Sequence, residues 1–137
     1  MVEKSCVFIK PDGVKRGLMA EVIRRFETRG FQFLKLELRQ LTSADVDKHY
    51  EEHLDKPFFP NLKDFILSGP ILIMVLEGER VIETIRKMVG PTDALDAPSG
   101  TIRGDLALSK SQNVIHASDS VASATREIEN FFGSLDH

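Results

Sequence analysis

The stretch 70–78, PILIMVLEG, decides the fold that this sequence predicts. Six consecutive residues, 71–76, are apolar, and glycines stand on both sides of the run at Gly69 and Gly78. A short run that is apolar at every position, bounded by turn-forming residues, is typical of a strand buried within a sheet. We therefore expect 70–78 to be a central strand.

Three further segments carry strand signals. Residues 5–10, SCVFIK, are rich in β-forming residues and are closed by a Pro-Asp-Gly turn triplet at 11–13. Residues 31–41, FQFLKLELRQL, interleave apolar and polar residues at the two-residue period of a half-buried strand. Residues 113–117, NVIHA, form the last candidate strand. The sequence thus predicts four strands.

Helical signals fill the segments between these strands. The pattern predicts a helix over 16–30 that ends at Gly30, a favourable residue after a helix C-terminus. Two short helices follow over 43–53, capped by Thr42 and Ser43, and after Pro57 up to residue 69. The remaining helices are expected at 79–90 and 118–132. Residues 91–112 are expected to form a loop, longer than an ordinary connection and therefore a candidate functional segment.

This order of elements contains two βαβ units, which is the pattern of a ferredoxin-like βαββαβ fold. We expect an α+β domain, an α/β sandwich in which helices cover one face of a four-stranded antiparallel sheet. The helical hairpin of 43–69 and the loop of 91–112 would be insertions in this pattern. No linker or repeat divides the chain, so residues 1–137 are expected to form a single domain.

Composition excludes several classes of protein. The 137 residues are 42% hydrophobic and 28% charged, as in an ordinary globular domain. A net charge of -3 argues against a general binder of nucleic acids or anionic membranes. No apolar run is long enough to span a membrane, and the N-terminus does not resemble a signal peptide, so we expect a cytoplasmic protein. Cys6 is the single cysteine, which excludes an intrachain disulfide.

The common phosphate and metal motifs are absent from the sequence. It contains neither a P-loop nor the glycine-rich turn of a Rossmann dinucleotide site. His49 and His53 are four residues apart on a predicted helix, but the neighbouring sequence offers no third ligand, so a metal between them is not expected. If the protein binds phosphates, side chains must supply most of the contacts to them.

The junction after the last strand is the most informative segment. His116 precedes Ser118, Asp119 and Ser120, which are all good N-cap residues, so the imidazole would stand beside a helix N-terminus that favours negative charge. Glu127, two turns along that helix, could hydrogen-bond the imidazole. In isolation, His116 could be a core histidine, and Glu127 is better explained as a surface residue or a partner of Arg126.

Polar residues at the ends of other elements could form a site for a polyphosphate. Arginine binds phosphate through two parallel hydrogen bonds and lysine binds it as a point charge, so Lys10, Arg86, Arg103 and Thr92 would suit such a ligand together. Each alone is better explained by a solvated strand end, a helix-dipole partner or a tight loop. Their spacing does not show that they converge.

Taken together, five segments resemble the nucleoside diphosphate kinases: IKPDGVKRG (9–17), HYEEHLDKPFF (49–59), SGP (68–70), GTIRGD (100–105) and NVIHASDS (113–120). They occur in the family's order and at its spacing, over nearly the whole chain. The resemblance implies a ping-pong enzyme that moves the γ-phosphoryl group of a nucleoside triphosphate, typically ATP, to a nucleoside diphosphate through a phosphohistidine. It also implies broad tolerance of base and sugar.

The resemblance implies a role for individual residues as well. His116 would carry the phosphoryl group, Glu127 would orient the imidazole, and Ser118 and Tyr50 would lie close by. Lys10 and Asn113 would bind ribose hydroxyls, with Lys10 also near the transferred group. The phosphates would be held by His53, Arg86, Thr92 and Arg103, and the base would lie between Phe58 and Leu62. Mg²⁺ would be held by the phosphates, with no direct protein ligand and with Asp119 in reach through a water.

Three residues depart from the family's pattern. Ala117 stands where glycine is common and would be strained if that position required a positive φ. Ala94 replaces a proline, and Lys110 stands where many relatives have a small apolar residue near the base. Family members form tetramers or hexamers built from dimers, so a homo-oligomer is expected.

Two other classes of function agree less well with the sequence than the enzyme does. A nucleotide-binding regulator that has lost turnover would be expected to lack some of the residues named above, and all are present. A nucleic-acid-binding protein is disfavoured by the acidic charge balance.

Overall fold

A computed structural model describes residues 2–133; Met1, residues 134–137 and with them His137 lie outside the described part of the predicted 1–137 domain. Four strands form one sheet in the order β2-β3-β1-β4. They are β1 (Val2–Ile9), β2 (Gln32–Arg39), β3 (Ile71–Glu79) and β4 (Ile115–Ala117), and every neighbouring pair is antiparallel. This confirms the predicted four-stranded antiparallel sheet, with 70–78 as an interior strand.

In the described residues, seven α-helices surround this sheet: α1 (Pro11–Lys15), α2 (Met19–Arg29), α3 (Ser43–His49), α4 (Phe59–Leu67), α5 (Val81–Val89), α6 (Ile102–Leu106) and α7 (Val121–Phe132). The helices cover both faces, not the single face expected from the sequence. Alternate residues of β3 therefore enter two separate cores. Met74 packs with α2 and α5 on one face, whereas Ile73 packs with α3, α4 and α7 on the other. Burial on both faces explains why the run 71–76 is apolar at every position.

Several boundaries differ from the predicted ones for local physical reasons. The Pro-Asp-Gly triplet is the first turn of α1, where proline's fixed φ and missing N–H suit the first helical position. The predicted helix of 43–53 ends at His49 and continues as a short 3₁₀ turn, Glu51–His53. The predicted loop of 91–112 contains a 3₁₀ turn and α6. The strand predicted at 113–117 begins only at Ile115, because Val114 has a φ of 72° that strand pairing does not allow.

The edge strand β2 is less buried than its alternating pattern predicts. A register irregularity at Leu34 interrupts its pairing with β3, and beyond it Leu36 and Leu38 are 51% and 55% exposed. Their partners across the pairing, Met74 and Leu72, lie in the core. The apolar face of the sheet therefore continues past the covered region to its edge. Among residues 2–133, no helix is both long and apolar enough to cross a membrane.

Candidate active site

A cleft of about 960 Å³ opens beside the end of β1 and the short strand β4. Its walls come from α3, α4, α5, α7 and the segment 92–113, which are distant in sequence. Of the residues to which the family resemblance gives a role, all but Ser118 line it: Lys10, Tyr50, His53, Phe58, Leu62, Arg86, Thr92, Arg103, Asn113, His116, Asp119 and Glu127. The fold thus brings together groups whose convergence the sequence spacing could not show.

His116 presents one side of its imidazole to this cleft. It lies in β4, and its side chain is 22% exposed. The Nε2 atom lies 3.0 Å from Oε1 of Glu127, which is buried on α7. A carboxylate accepts hydrogen bonds, so this contact favours the tautomer with the proton on Nε2. The lone pair of Nδ1 is then available to a group bound in the cleft.

Ser118 supports Glu127 from behind the cleft. Its hydroxyl is fully buried and lies 2.8 Å from the same Oε1 atom that contacts His116. The backbone N–H of Cys6 donates to Ser118 Oγ at 3.0 Å, which fixes the hydroxyl to β1. Ser120 caps α7 by accepting a hydrogen bond from the backbone N–H of Ser123. The serines after His116 therefore anchor the helix that carries its carboxylate partner.

Two aromatic rings flank the imidazole of His116. Phe8, its partner in the β1–β4 pairing, stacks against it with ring centroids 4.8 Å apart and planes at 25°. His49 on α3 packs edge to face against it, with centroids 4.9 Å apart and planes at 83°. The two contacts restrict rotation of the reactive ring.

His49 is a site residue that sequence reasoning missed. It is only 6% exposed, and its Nδ1 atom is buried without a hydrogen-bond partner. Burial, reinforced by the nearby His116, lowers the pKa of His49 to about 2, so its ring is neutral. The sequence linked His49 to His53 through their helical spacing. In the fold, His49 faces His116 and Glu127, and only the packing of α3 against α7 and the sheet reveals this.

Lys10 and Asn113 meet on the opposite side of the cleft. The ammonium of Lys10 donates to Oδ1 of Asn113 at 2.7 Å, and the amide of Asn113 donates to the carbonyl of Thr92 at 3.3 Å. Burial, together with the positive charge of Arg103, lowers the pKa of Lys10 to about 8. An incoming anion would favour the protonated ammonium.

Arg103 lines the cleft, and its buried side chain also links three backbone segments. Its guanidinium donates to three backbone carbonyls: Ile115 at 2.7 Å, Gly90 at 3.0 Å and Asn113 at 3.4 Å. A guanidinium carries five N–H donors, so two remain for a ligand. Burial and the charge of Arg86 lower the pKa of Arg103 to about 10, which leaves it protonated at neutral pH.

The fold of the segment 100–105, GTIRGD, places Arg103 in the cleft. Thr101 caps α6 by accepting a hydrogen bond from the backbone N–H of Gly104 at 3.0 Å. A Cβ atom at Gly104 would overlap the carbonyl of Pro98, so only glycine fits there. Arg86, on the last turns of α5, reaches towards the carbonyl of Ala117 at 3.4 Å. The two arginines therefore enter the cleft from different elements.

Phe58 and Leu62 contribute apolar side chains to the lining of the cleft. Phe58 is 50% exposed there, close to Leu62 on α4. The loop residues 109–111, including Lys110, line the same cleft. Tyr50 lies nearer the histidines, with its ring centroid 4.5 Å from that of His49, and burial raises the pKa of its hydroxyl. An exposed aromatic ring beside a polar pocket is suited to stacking on a planar ligand.

The backbone next to His116 is strained at Val114 and not at Ala117. Val114 has a φ of 72°, which is unfavourable for a β-branched residue, whereas the positive-φ non-glycine residues within 2–133 do not include Ala117. Val114 is held on both sides: its carbonyl accepts from Lys10 N–H at 2.7 Å, and its N–H donates to Asp12 at 3.1 Å. Strain of this kind clusters at functional sites. The substitution of the family's common glycine by Ala117 therefore causes no strain.

The sequence of this chain is similar to those of known proteins. The sequence matches the family model described as nucleoside diphosphate kinase over residues 3–136. It is 51% identical to the nucleoside diphosphate kinase of Saccharolobus solfataricus, over 99% of both chains. It is 53% identical to that of Staphylothermus marinus, over 95% of this chain and 92% of the relative.

Solved structures with the same fold are also similar to this chain. The Aquifex aeolicus nucleoside diphosphate kinase superposes with a TM-score of 0.95 at 37% identity, over 99% of both chains. The halophilic enzyme from Halobacterium salinarum, solved in complex with CDP, superposes with a TM-score of 0.95 at 41% identity, over 98% of this chain and 90% of that one. With the family matched from end to end in both sequence and fold, this chain belongs to the nucleoside diphosphate kinases.

Proposed function

We propose that this nucleoside diphosphate kinase carries its phosphoryl group on Nδ1 of His116. The family transfers the γ-phosphoryl group of a nucleoside triphosphate to a nucleoside diphosphate by a ping-pong reaction through a phosphohistidine. The observation that carries the assignment to His116 is its contact with Glu127, which occupies Nε2 and leaves the lone pair of Nδ1 free on a residue that lines the cleft. His116 also has a buried carboxylate partner and lines the same cleft as Arg86 and Arg103.

In the first half-reaction, the lone pair of Nδ1 attacks the γ-phosphorus and the bond to the bridging oxygen breaks. That oxygen keeps the bonding electrons and leaves on the diphosphate. The imidazole gains positive character, which the carboxylate of Glu127 stabilises through Nε2–H. In the second half-reaction, a terminal oxygen of another diphosphate attacks the phosphorus, and the N–P electrons return to Nδ1.

The cations of the cleft would hold the phosphates during both steps. Phosphoryl transfer passes through a loose transition state, so catalysis rests on positioning and charge stabilisation. Arg86 and the two free N–H groups of Arg103 are suited to the phosphate oxygens. Thr92, His53 and the hydroxyl of Tyr50 complete this part of the proposed site.

Mg²⁺ is the proposed cofactor, held mainly by the nucleotide. Mg²⁺ prefers oxygen ligands and retains several waters, and it neutralises charge on the phosphates. Asp119 lines the cleft, and its hydrogen bond from Ser123 lowers the pKa of the carboxyl, so it is ionised and suited to a water-mediated contact. This arrangement fits a metal that arrives with its substrate.

The remaining residues would bind the nucleoside without reading its identity. Phe58 and Leu62 offer apolar contact to a base, and Lys10 and Asn113 offer polar groups to the ribose hydroxyls. Apolar contact with the face of a base does not read the hydrogen-bonding groups on its edges, so purines and pyrimidines would both be accepted. The Halobacterium relative was solved with CDP, a pyrimidine diphosphate.

We also propose a homo-oligomer, a tetramer or hexamer built from dimers, working in the cytoplasm. The support within this chain is the half-exposed Leu36 and Leu38 on the edge strand β2, in register with core residues. An uncovered apolar edge strand invites pairing with another chain, and a second copy would satisfy it.

Intact mass spectrometry tests the proposed nucleophile. Mixing the protein with MgATP should add one acid-labile phosphoryl group, and adding GDP should remove it as GTP appears. His116→Ala should take up none while remaining folded by circular dichroism. A labile phosphoryl group on the folded variant would assign the nucleophile to another residue.

A further inference from the structure

We propose that His49, His116 and Glu127 form an inhibitory binding site for a divalent transition-metal ion of the Zn²⁺ type. One ligand atom from each of these side chains can be chosen so that all three lie within 4.8 Å of one another. Within residues 2–133 this is the one group of three such side chains that meets this criterion. The three ligands come from α3, β4 and α7, so only the folded chain assembles them.

The ligand atoms must move closer to the spacing of a tetrahedral site before they can hold a metal. Zinc binds imidazole nitrogen and carboxylate oxygen at about 2.0–2.2 Å, which places two ligand atoms of a tetrahedral site about 3.4 Å apart. Nε2 of His116 and Oε1 of Glu127 are 3.0 Å apart and would open by a few tenths of an ångström. The third ligand atom, from His49, lies within 4.8 Å and would approach by up to about 1.4 Å.

His49 supplies a second, independent observation. Its Nδ1 atom is buried and has no hydrogen-bond partner, although the side chain is only 6% exposed. A buried polar atom without a partner is costly, and native structures rarely retain one without a function or a bound group. If His49 binds through Nδ1, the metal ion would give this atom a partner, and water from the cleft would supply the fourth ligand.

The ligand set selects a metal different from the one that accompanies the nucleotide. Two imidazoles and one carboxylate suit Zn²⁺ and its first-row neighbours, whereas Mg²⁺ prefers oxygen ligands throughout. The metal would replace the proton that His116 Nε2 shares with Glu127, and that proton would pass to solvent. The site can therefore be occupied without competition from Mg²⁺ in the same cleft.

Occupancy would block phosphoryl transfer, a consequence that rests on the function proposed above. A metal on Nε2 draws electron density from the ring and takes Glu127 away from its role of stabilising the charged imidazole. His116 would then be a weaker nucleophile at Nδ1. The ion is thus expected to act as an inhibitor that prevents loading of His116.

Cobalt absorption tests the site without reference to turnover. Co²⁺ is added to the chelator-treated protein with no nucleotide, and the visible absorption of tetrahedral Co²⁺ reports binding. Zn²⁺ should displace the Co²⁺, and excess Mg²⁺ should not. His49→Gln and His116→Asn should each weaken Co²⁺ binding at least about tenfold, as the loss of a ligand requires. His53→Gln is the matched control, because it removes a nearby imidazole that also has a buried, unpartnered Nδ1 but is outside the three-ligand group, and it should bind Co²⁺ like the wild type.

Absence of a tetrahedral Co²⁺ spectrum in the wild-type protein would overturn the proposal. Equal Co²⁺ affinity in wild type and folded His49→Gln would also overturn it. If His49→Gln does not fold, His116→Asn and Glu127→Gln decide the question, since both ligands lie on other elements. Phosphorylation by MgATP is measured separately in the metal-free protein, so failure of the metal site and failure of the proposed enzyme are distinguishable.

Discussion

Oε1 of Glu127 lies 3.0 Å from Nε2 of His116, a contact that joins a helix to the short strand that precedes it. Both residues are held by other contacts: Glu127 by Ser118, and His116 by the stacked ring of Phe8. The imidazole is therefore fixed in both position and tautomer before any ligand binds. Preorganisation of this kind removes reorganisation from the chemical step.

Replacing Glu127 by glutamine should slow phosphorylation of His116. The amide keeps the shape but loses the charge that stabilises the imidazole, and a hydrogen bond to a charged group contributes about 1.5–3 kcal/mol. We expect a loss of about 10- to 100-fold in the rate of phosphorylation, with little change in KM. Rapid-quench measurement of the single-turnover reaction with MgATP checks this.

The matched control for that variant is Glu129→Gln, an exposed position on the same helix. It should phosphorylate like the wild type. Equal rates in Glu127→Gln and Glu129→Gln would remove the carboxylate of Glu127 from the reaction.

The sequence predicts the sheet, its interior strand and the chemical nature of the site, because hydrophobic periodicity and capping residues act locally. The sequence predicts Thr42 and Ser120 as capping residues, and both accept the expected backbone hydrogen bonds. What it could not predict depends on contacts between distant elements. His49 faces His116 through tertiary packing, and the bonds from Arg103 to three carbonyls require the folded loop.

The positive φ of Val114 illustrates the same limit. A β-branched residue in an apolar run favours an extended strand, and that preference led to a strand prediction from residue 113. Hydrogen bonds to Lys10 and Asp12, about a hundred residues away in sequence, impose the other conformation. Tertiary contacts override local propensity where the chain builds the site.

Arg103→Lys should destabilise the fold as well as impair activity. Lysine keeps the charge but cannot reproduce the planar fork that reaches Gly90, Asn113 and Ile115, so buried carbonyls lose their partners. We expect the free energy of unfolding to fall by about 2–4 kcal/mol. Urea unfolding followed by circular dichroism measures the change.

Arg24→Lys provides the comparison for this variant, since Arg24 makes an exposed ion pair with Glu21 on α2. Such surface pairs contribute little, so its unfolding should match the wild type. If Arg103→Lys also unfolds like the wild type, Arg103 does not stabilise the loop and only its proposed role in phosphate binding remains.

Deprotonation of Lys10 should lower the activity of the enzyme at alkaline pH. Its pKa is lowered to about 8 by burial and by Arg103, so the ammonium is charged below that pH and loses its proton as the pH rises through it. A neutral amine binds phosphate less well, and kcat/KM reports the ionisation of the free enzyme. We therefore expect kcat/KM for the triphosphate to fall above about pH 8, by up to about tenfold per pH unit.

Substitution of Lys10 identifies the group responsible. Lys10→Gln should have a lower kcat/KM throughout and lack the decline near pH 8. Lys87→Gln, which removes an exposed lysine of α5, should retain the decline. If Lys10→Gln kept the same alkaline decline, another group would be responsible for it.

The two leucines of β2 should hold copies of this chain together. Leu36 and Leu38 are half exposed beside Met74 and Leu72, which are buried in the sheet's core. Replacing both leucines by lysine places like charges on the two faces of a symmetric contact, where they repel each other and must be desolvated. We expect the double variant to have a lower molar mass than the wild type by light scattering at equal concentration, while its far-UV circular dichroism is unchanged. Glu37→Lys adds a positive charge to the same strand on its other face and should leave the wild-type mass unaltered; a double variant with the wild-type mass would show that the subunits associate through another surface.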